Sequence, residues 1–188
     1  EILIGLVGSE MCIRDRIYAY NKPIGQVCTS KDTDPDSIFR YVEFPERVNY
    51  VGRLDKDSTG LLLLTNDGDL ANEIQRSRNN HEKEYHVRVN TDITEDFIKK
   101  MSEGVEILDT VTKPCKVKKT GTRNFSIILT QGLNRQIRRM CDALHVRVVH
   151  LKRVRIMNIR LGSLRPGEFR TLTRDEEQEL RRLVQKRS

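Results

Sequence analysis

Short runs of apolar residues predict that strands outnumber helices in this chain. The four leucines at residues 61–64 are typical of a buried strand, which we extend to Thr65. In residues 84–89, Tyr85, Val87 and Val89 alternate with polar side chains, the period-two pattern of a half-buried strand. The stretch IYAYNKPIGQVCTSKD predicts a strand, a turn and a second strand. Further strands are predicted at residues 48–51, 105–108, 113–118, 125–130, 146–149 and 154–161.

Helical spacing is clearest at residues 134–144, where Ile137, Met140, Cys141 and Leu144 share one face. Several connections between the predicted strands are too short for parallel crossovers. We therefore predict an α+β fold in which helices flank a mixed, largely antiparallel β-sheet. Other helices are predicted at residues 36–42, at 69–76 with Asp69 as the cap, at 94–101 and at 174–185.

Positive charge is concentrated in the second half of the chain. The 188 residues carry a formal net charge of +7. Residues 133–170 contain ten Lys and Arg against only Asp142 and Glu168. An excess of one sign favours a phosphate-contacting face over a uniformly solvated surface, so nucleic acid is the first candidate partner. The ten basic residues are Arg135, Arg138, Arg139, Arg147, Lys152, Arg153, Arg155, Arg160, Arg165 and Arg170.

Residues 1–16, EILIGLVGSEMCIRDR, differ from the rest of the chain. They begin with an apolar run but lack the cationic region and the small-residue cleavage site of a signal peptide. Residues 6–16 resemble the translation of a transposase-type sequencing adaptor. We therefore predict a non-native segment at residues 1–16 and one native domain at residues 17–188.

Neither a metal nor an organic cofactor is expected. The segment HEKEYH places His81 and His86 five residues apart on a predicted strand, unlike the helical pair of a metalloprotease. Glycine-rich phosphate-binding motifs are missing from the sequence. The four cysteines form no C-x-x-C pair, which is typical of a reducing cytosol, and no apolar run approaches the roughly 20 residues that span a bilayer. We expect a cytoplasmic protein.

The stretch VGRLDKDSTGLLLLTNDGDL carries the strongest sign of chemistry. Its charged residues, Arg53 to Asp57, directly precede the predicted leucine strand. A polar turn capped by Asp57 or Ser58 explains them, and so does an active-site loop held by a rigid sheet. Residue types alone leave both interpretations open.

A carboxylate on such a loop needs a cationic partner to stay ionised and oriented. The predicted helix NRQIRRM supplies Arg135 and Arg138, which lie three residues apart on one face. Arg139 is about 100° around that helix and is better placed for solvent or phosphate. A tyrosine such as Tyr85 is most often a core or interface residue, but beside a carboxylate it can stack on a planar substrate.

Three motifs in this order, GRLDKDSTGLLLLTND, HEKEYHV and GLNRQIRRM, resemble the RsuA/RluB/RluE/RluF family of pseudouridine synthases, and most closely its RluF branch. The resemblance implies a pseudouridine synthase fold and isomerisation of a uridine in large-subunit (23S) ribosomal RNA, as in the 23S rRNA pseudouridine(2604) synthase. The resemblance also implies that the protein needs no cofactor. It implies a monomeric protein that binds this RNA or the pre-ribosomal large subunit. Family members usually carry an S4-type RNA-binding domain before the catalytic domain, and we expect that it is missing from this sequence through truncation.

Residue roles follow from the same resemblance. Asp55 is the catalytic aspartate, and Tyr85 packs on the target uracil and assists removal of the proton from C5. Arg138 pairs with Asp55, with Arg135 as the second choice for that pairing. Arg53 fills the space that the flipped uridine leaves. RNA contacts are expected from Arg53, Arg135, Arg139, Lys152, Arg153 and Arg155.

Alternatives remain open at this point. In one alternative, the enzyme modifies a transfer-RNA anticodon uridine or another ribosomal uridine. In another, the chain is a non-catalytic RNA-binding or ribosome-assembly factor. A glycosidase with Asp55 and Asp57 as paired carboxylates fits poorly, because a basic surface does not suit neutral sugars.

Overall fold

A computed structural model describes residues 15–76 and 80–185. Residues 1–14, and with them most of the adaptor-like segment, lie outside the described part. The helices are α1 (Ile38–Tyr41), α2 (Gly68–Gln75), α3 (Glu95–Glu103), α4 (Gln136–Ala143) and α5 (Arg174–Gln185). The strands are β1 (Ile17–Lys22), β2 (Asn49–Val51), β3 (Thr59–Thr65), β4 (Lys83–Val89), β5 (Glu106–Ile107), β6 (Thr110–Val111), β7 (Lys116–Gly121), β8 (Asn124–Leu129), β9 (Val148–Ile156), β10 (Ile159–Arg160) and β11 (Phe169–Thr171).

One mixed sheet organises the described part of the chain. Its main path runs β11-β1-β3-β9-β4-β8-β7, with β2 added to β3 and β10 added to β9. Every described pairing in this sheet is antiparallel except that of β3 with β9, where Gly60 lies opposite Arg153. The predicted α+β class and largely antiparallel sheet are confirmed.

The strand β3 is buried on both faces. Leu61 and Leu63 pack with α2 and α5 on one side, whereas Leu62 and Leu64 pack with Tyr18 and other residues around β1 and α1 on the other side. All four leucines are fully buried, which explains why the strand reads as an uninterrupted apolar run.

The strand β4 is buried on one face only. Val87 and Val89 belong to the core that α3, α4 and β8 complete, while His86 and Arg88 are exposed. This half-buried arrangement explains the alternating sequence of β4.

Several predicted boundaries were wrong for identifiable physical reasons. The strands predicted at 146–149 and 154–161 are largely one strand, β9, which continues through Lys152 and Arg153. The second strand predicted after Gly25 is reduced to an isolated bridge between Val27 and Ser37. The cap of α2 is Asp67, not Asp69, because the Asp67 side chain accepts from the amide of Leu70.

Candidate active site

Residues 52–58 form the loop between β2 and β3, and several local contacts fix its shape. Gly52 begins it with a φ of +71°, a conformation that favours glycine. The buried Leu54 anchors the loop in the core, and the amide of Ser58 donates to the carbonyl of Asp55 over 3.0 Å. The amide of Gly25, in the turn after β1, donates to the carbonyl of Lys56 over 2.8 Å. The loop therefore holds Asp55 shortly before the buried strand β3.

Arg135 joins the two carboxylates of this loop. Its guanidinium donates to both oxygens of Asp57 over 3.0 and 2.8 Å, and its Nη1 lies 3.4 Å from Oδ2 of Asp55. Arg135 is the N-cap of α4, with a left-handed backbone (φ 49°, ψ 39°). That conformation lets the residue before the helix reach across to the loop.

Arg138 contacts a different part of the loop from the one predicted. Its Nη2 donates to the carbonyl of Asp57 over 2.8 Å and to Oγ of Ser58 over 3.3 Å, and its Nε lies 3.6 Å from Oδ2 of Asp57. In the described part of the chain, Asp55 therefore pairs with Arg135, the second choice, and Arg138 pairs with Asp57. The reason is that Arg135 precedes the helix and has a left-handed backbone, so it does not share a helical face with Arg138.

Asp57 has the role of an anchor. Its hydrogen bonds from Arg135 hold the pKa of its carboxyl below the usual range, and the charges of Arg138 and Arg135 act in the same direction. The same hydrogen bonds raise the pKa of Arg135. Asp57 is exposed, yet it is the carboxylate that contacts both arginines. Among the described residues the carboxylate of Asp55 has one ionic contact, the 3.4 Å approach of Arg135, which leaves most of its hydrogen-bonding capacity for a ligand.

A cavity of about 490 Å³ opens beside Asp55. Arg53 and Asp55 of the loop line it, together with Tyr85 of β4, which is half-buried against the core. The structure thus brings the predicted carboxylate, aromatic ring and insertion residue to one cavity of a size that suits a nucleobase and its sugar.

The remaining predicted RNA-contacting residues fall into different environments. Arg153 is only 3% exposed and lies inside the cavity instead of on the surface, because its guanidinium donates to the carbonyls of Leu61 and Arg53. Arg155 pairs with Glu82 and Glu84, so an outward phosphate contact would require these ion pairs to break.

Two of the predicted residues remain accessible. Lys152 is half-buried on β9. Arg139 is also half-buried and donates to the carbonyl and the side chain of Asn134 at the start of its own helix. Both stay candidates for phosphate contact.

Two lysines near the site were missed in the sequence. Lys83 lines the cavity two residues before Tyr85, so the same period-two pattern that selected Tyr85 places Lys83 on its face. Lys22 is fully buried behind the loop and donates to the carbonyl of Pro23 over 2.8 Å. Burial lowers the pKa of Lys22 to about 8, against the opposing effects of Cys28, Asp57 and Asp55. The sequence feature that could have revealed Lys22 is the position of a charged residue between an apolar strand and a turn that contains proline.

The described residues contain no group of three or more His, Cys, Asp or Glu side chains that could hold a metal ion. His81, considered above as a ligand, is buried and lies with Nε2 3.1 Å from the carbonyl of Glu73. No helix in the described ranges is long and apolar enough to cross a membrane.

A family model described as RNA pseudouridylate synthase matches residues 16–143. The chain belongs to this family. The resemblance drawn from the three motifs is confirmed, since the chain is 53% identical over 172 residues to the dual-specificity RNA pseudouridine synthase RluF of Escherichia coli (strain K12). That match covers 92% of this chain and 59% of RluF, so the chain spans about three fifths of this relative.

More distant members of the RNA pseudouridylate synthase family match over a larger share of their own length. The ribosomal small subunit pseudouridine synthase A of Yersinia pestis is 31% identical, with 89% of this chain and 73% of that protein covered. A crystal structure of a pseudouridylate synthase superimposes with a TM-score of 0.82 at 32% identity, covering 90% of this chain and 74% of the other. The pseudouridine synthase fold is therefore confirmed.

Proposed function

We propose that this chain isomerises a uridine of large-subunit (23S) ribosomal RNA to pseudouridine, with Asp55 as the catalytic carboxylate. The observation that carries the proposal is the meeting of Asp55, Tyr85 and Arg53 at one cavity. Asp55 comes from the loop after β2 and Tyr85 from β4, so the sheet fixes the position of each relative to the other.

The reaction needs only groups that this cavity offers. The N1–C1′ bond breaks, the uracil turns, and C5 joins C1′; the proton on C5 is lost and N1 gains one, with no net oxidation or reduction. Asp55 either attacks the ribose or the base or stabilises the opening of the N1–C1′ bond. Tyr85 packs on the uracil ring and assists removal of the C5 proton.

Access to the target requires the uridine to leave its stack. Arg53 is exposed at the mouth of the cavity and is the residue that we assign to the space left behind. Arg135, Arg139 and Lys152 are assigned to the phosphates. The net charge of +7 supports an RNA substrate.

A second RNA target is also proposed, because the relative RluF is named a dual-specificity enzyme. A transfer-RNA anticodon uridine is our candidate for it. We further propose that the protein acts in the cytoplasm as a monomer; the three described cysteines, Cys28, Cys115 and Cys141, are free thiols that suit a reducing compartment.

The proposal is tested by incubating the chain with unmodified 23S ribosomal RNA and with transfer RNA, and mapping pseudouridine by carbodiimide modification and primer extension. We expect a new stop at one uridine with the wild type and none with Asp55→Ala. Equal product from Asp55→Ala would contradict a catalytic role for Asp55. Rescue of a deletion phenotype by Asp55→Ala would indicate a non-catalytic RNA-binding or assembly factor.

A further inference from the structure

The cavity contains a buried guanidinium whose hydrogen-bonding capacity is not used up. Nε of Arg153 donates to the carbonyl of Leu61 over 2.8 Å, and Nη1 donates to the carbonyl of Arg53 over 3.4 Å. Nη2 is buried and has no hydrogen-bond partner in the described part of the chain. A donor left unsatisfied in a protein interior costs about 1–3 kcal/mol, and more when it is charged, so an acceptor is expected there when the site is occupied.

A second cation lies in the same cavity. Lys83 on β4 is half-buried, and no described residue is an ion-pair or hydrogen-bond partner of its ammonium group. Burial lowers the pKa of Lys83 to about 8, and the charge of Arg153 contributes in the same direction. The carboxylates of Glu82 and Glu84, the residues on either side of Lys83, form ion pairs with Arg155 instead.

Tyr85 links the two cations in the sheet. It lies directly opposite Arg153 in the β4–β9 pairing and two residues after Lys83, so all three side chains face the cavity. The ring that we assign to the target base therefore shares the cavity with two cationic donors, neither of which has an anionic partner among the described residues.

We propose that Lys83 and Arg153 bind the carbonyl oxygens of the target uracil and stabilise the negative charge that these oxygens gain during the reaction. This inference rests on the proposed function. If N1–C1′ cleaves first, the bonding electron pair passes to N1 and is shared by O2 and O4 of the uracil anion. If Asp55 adds to the base at C6, the electron pair of the C5–C6 double bond passes to O4 as an enolate. Both variants place charge on a carbonyl oxygen, where a preorganised donor acts most strongly.

The first test compares Lys83→Met, Lys83→Arg and the surface variant Lys100→Met, which removes a charge on α3 away from the cavity. Single-turnover rate constants at saturating RNA are measured on an RNA that the wild type modifies, and RNA affinity is measured separately. We expect Lys83→Met to lower the rate constant by about 100- to 1,000-fold with the RNA Kd within a factor of two. Lys83→Arg should restore at least a tenth of the rate, and Lys100→Met should match the wild type.

The pH dependence gives a readout that a structural role would not change. The cationic form of Lys83 is present below a pH of about 8 and is lost as pH rises through it, so kcat/KM of the wild type should fall above about pH 8. In Lys83→Arg this alkaline limb should disappear from the measured range, because a guanidinium does not titrate there. The same alkaline limb in both proteins would overturn the assignment to Lys83.

Arg153 needs a separate experiment, because its hydrogen bond to the carbonyl of Arg53 also holds the loop that carries Asp55. We propose Arg153→Lys, checked by circular dichroism and thermal unfolding, with the same rate measurements. A folded Arg153→Lys variant with wild-type rate would remove Arg153 from the proposal.

Binding of a free base separates this inference from the proposed function. The probe is 5-nitrouracil, whose ring is anionic at pH 7, where Lys83 is cationic; it is titrated calorimetrically at that pH into the wild type and Lys83→Met. We expect the wild type to bind it at least tenfold more tightly than Lys83→Met. Equal binding would contradict the inference whether or not the wild type forms pseudouridine. Failure of the wild type to modify any RNA, with the binding difference intact, would contradict the proposed function alone.

Discussion

The two halves of the sheet support the site in different ways. In the half around β1 and β3, helices and loops cover both faces, and all four leucines of β3 are fully buried. In the half around β4, β8 and β7, a core covers one face, and the other presents His86, Arg88 and Lys118 to solvent. The first half holds the Asp55 loop, and the second provides Tyr85 and Lys83.

The candidate active site lies where these halves meet. Strands β3 and β9 form the one parallel pairing of the described sheet, and Gly60 lies directly opposite Arg153 in it. The doubly covered strand β3 restricts the loop that carries Asp55. The half around β4 supplies Tyr85 and Lys83 to the cavity from its covered face, and its other face is left to solvent. One half therefore positions the carboxylate, and the other half provides the side chains that meet it.

The largest effect is expected from breaking the contact between the halves. Gly60 has a φ of +108°, and a Cβ there would clash with the carbonyl oxygen and amide nitrogen of Arg153. We expect Gly60→Ala to destabilise the protein by about 3 kcal/mol or more and to abolish product formation. Gly68→Ala is the control, since its added Cβ meets nothing. Urea unfolding measures both; equal midpoints would show that the close approach is not needed.

A smaller effect should distinguish the two halves themselves. Leu62→Ala in β3 should cost about 2–5 kcal/mol, because a fully buried side chain leaves a cavity. His86→Ala on the open face of β4 should change the free energy of unfolding by less than about 0.5 kcal/mol. Comparable losses from both variants would mean that the open face of β4 is covered in solution.

The smallest effect concerns RNA affinity. Lys152 remains accessible on β9, whereas the neighbouring Arg155 is held by two glutamates. We expect Lys152→Met to reduce the slope of log Kd against log salt concentration by about one, the loss of a single phosphate contact. Arg155→Met should leave the slope unchanged and lower the melting temperature instead. A salt slope altered only by Arg155→Met would reverse the assignment.

Local patterns predicted the elements better than the contacts between them. The leucine run and the alternation in β4 reflect burial that each strand experiences along its whole length, so both strands were predictable. Strand β9 was divided in the prediction because Lys152 and Arg153 interrupt its apolar pattern. The strand continues because the guanidinium of Arg153 donates to the carbonyl of Leu61 on β3 and to the carbonyl of Arg53 on the Asp55 loop. Both residues are distant from Arg153 in sequence.

The pairing of the arginines was unpredictable for a similar reason. The spacing of Arg135 and Arg138 indicates a shared helical face, but Arg135 precedes the helix and has a left-handed backbone. Which carboxylate each arginine reaches then depends on how the loop and helix pack, a tertiary property that spacing does not contain. The motif order, by contrast, singled out Asp55 and Tyr85 as candidates, and both line the cavity.

The central claim, that one of two adjacent carboxylates performs the chemistry, is tested most directly by tritium release from RNA labelled at C5 of uridine. Isomerisation removes that hydrogen, so release reports turnover. Asp55→Asn and Asp57→Asn are compared at saturating RNA, with circular dichroism confirming that both variants fold. The account predicts no release above background for Asp55→Asn and a partial loss, about tenfold, for Asp57→Asn, whose role is to hold Arg135 and Arg138. Release by Asp55→Asn with none by Asp57→Asn would contradict it.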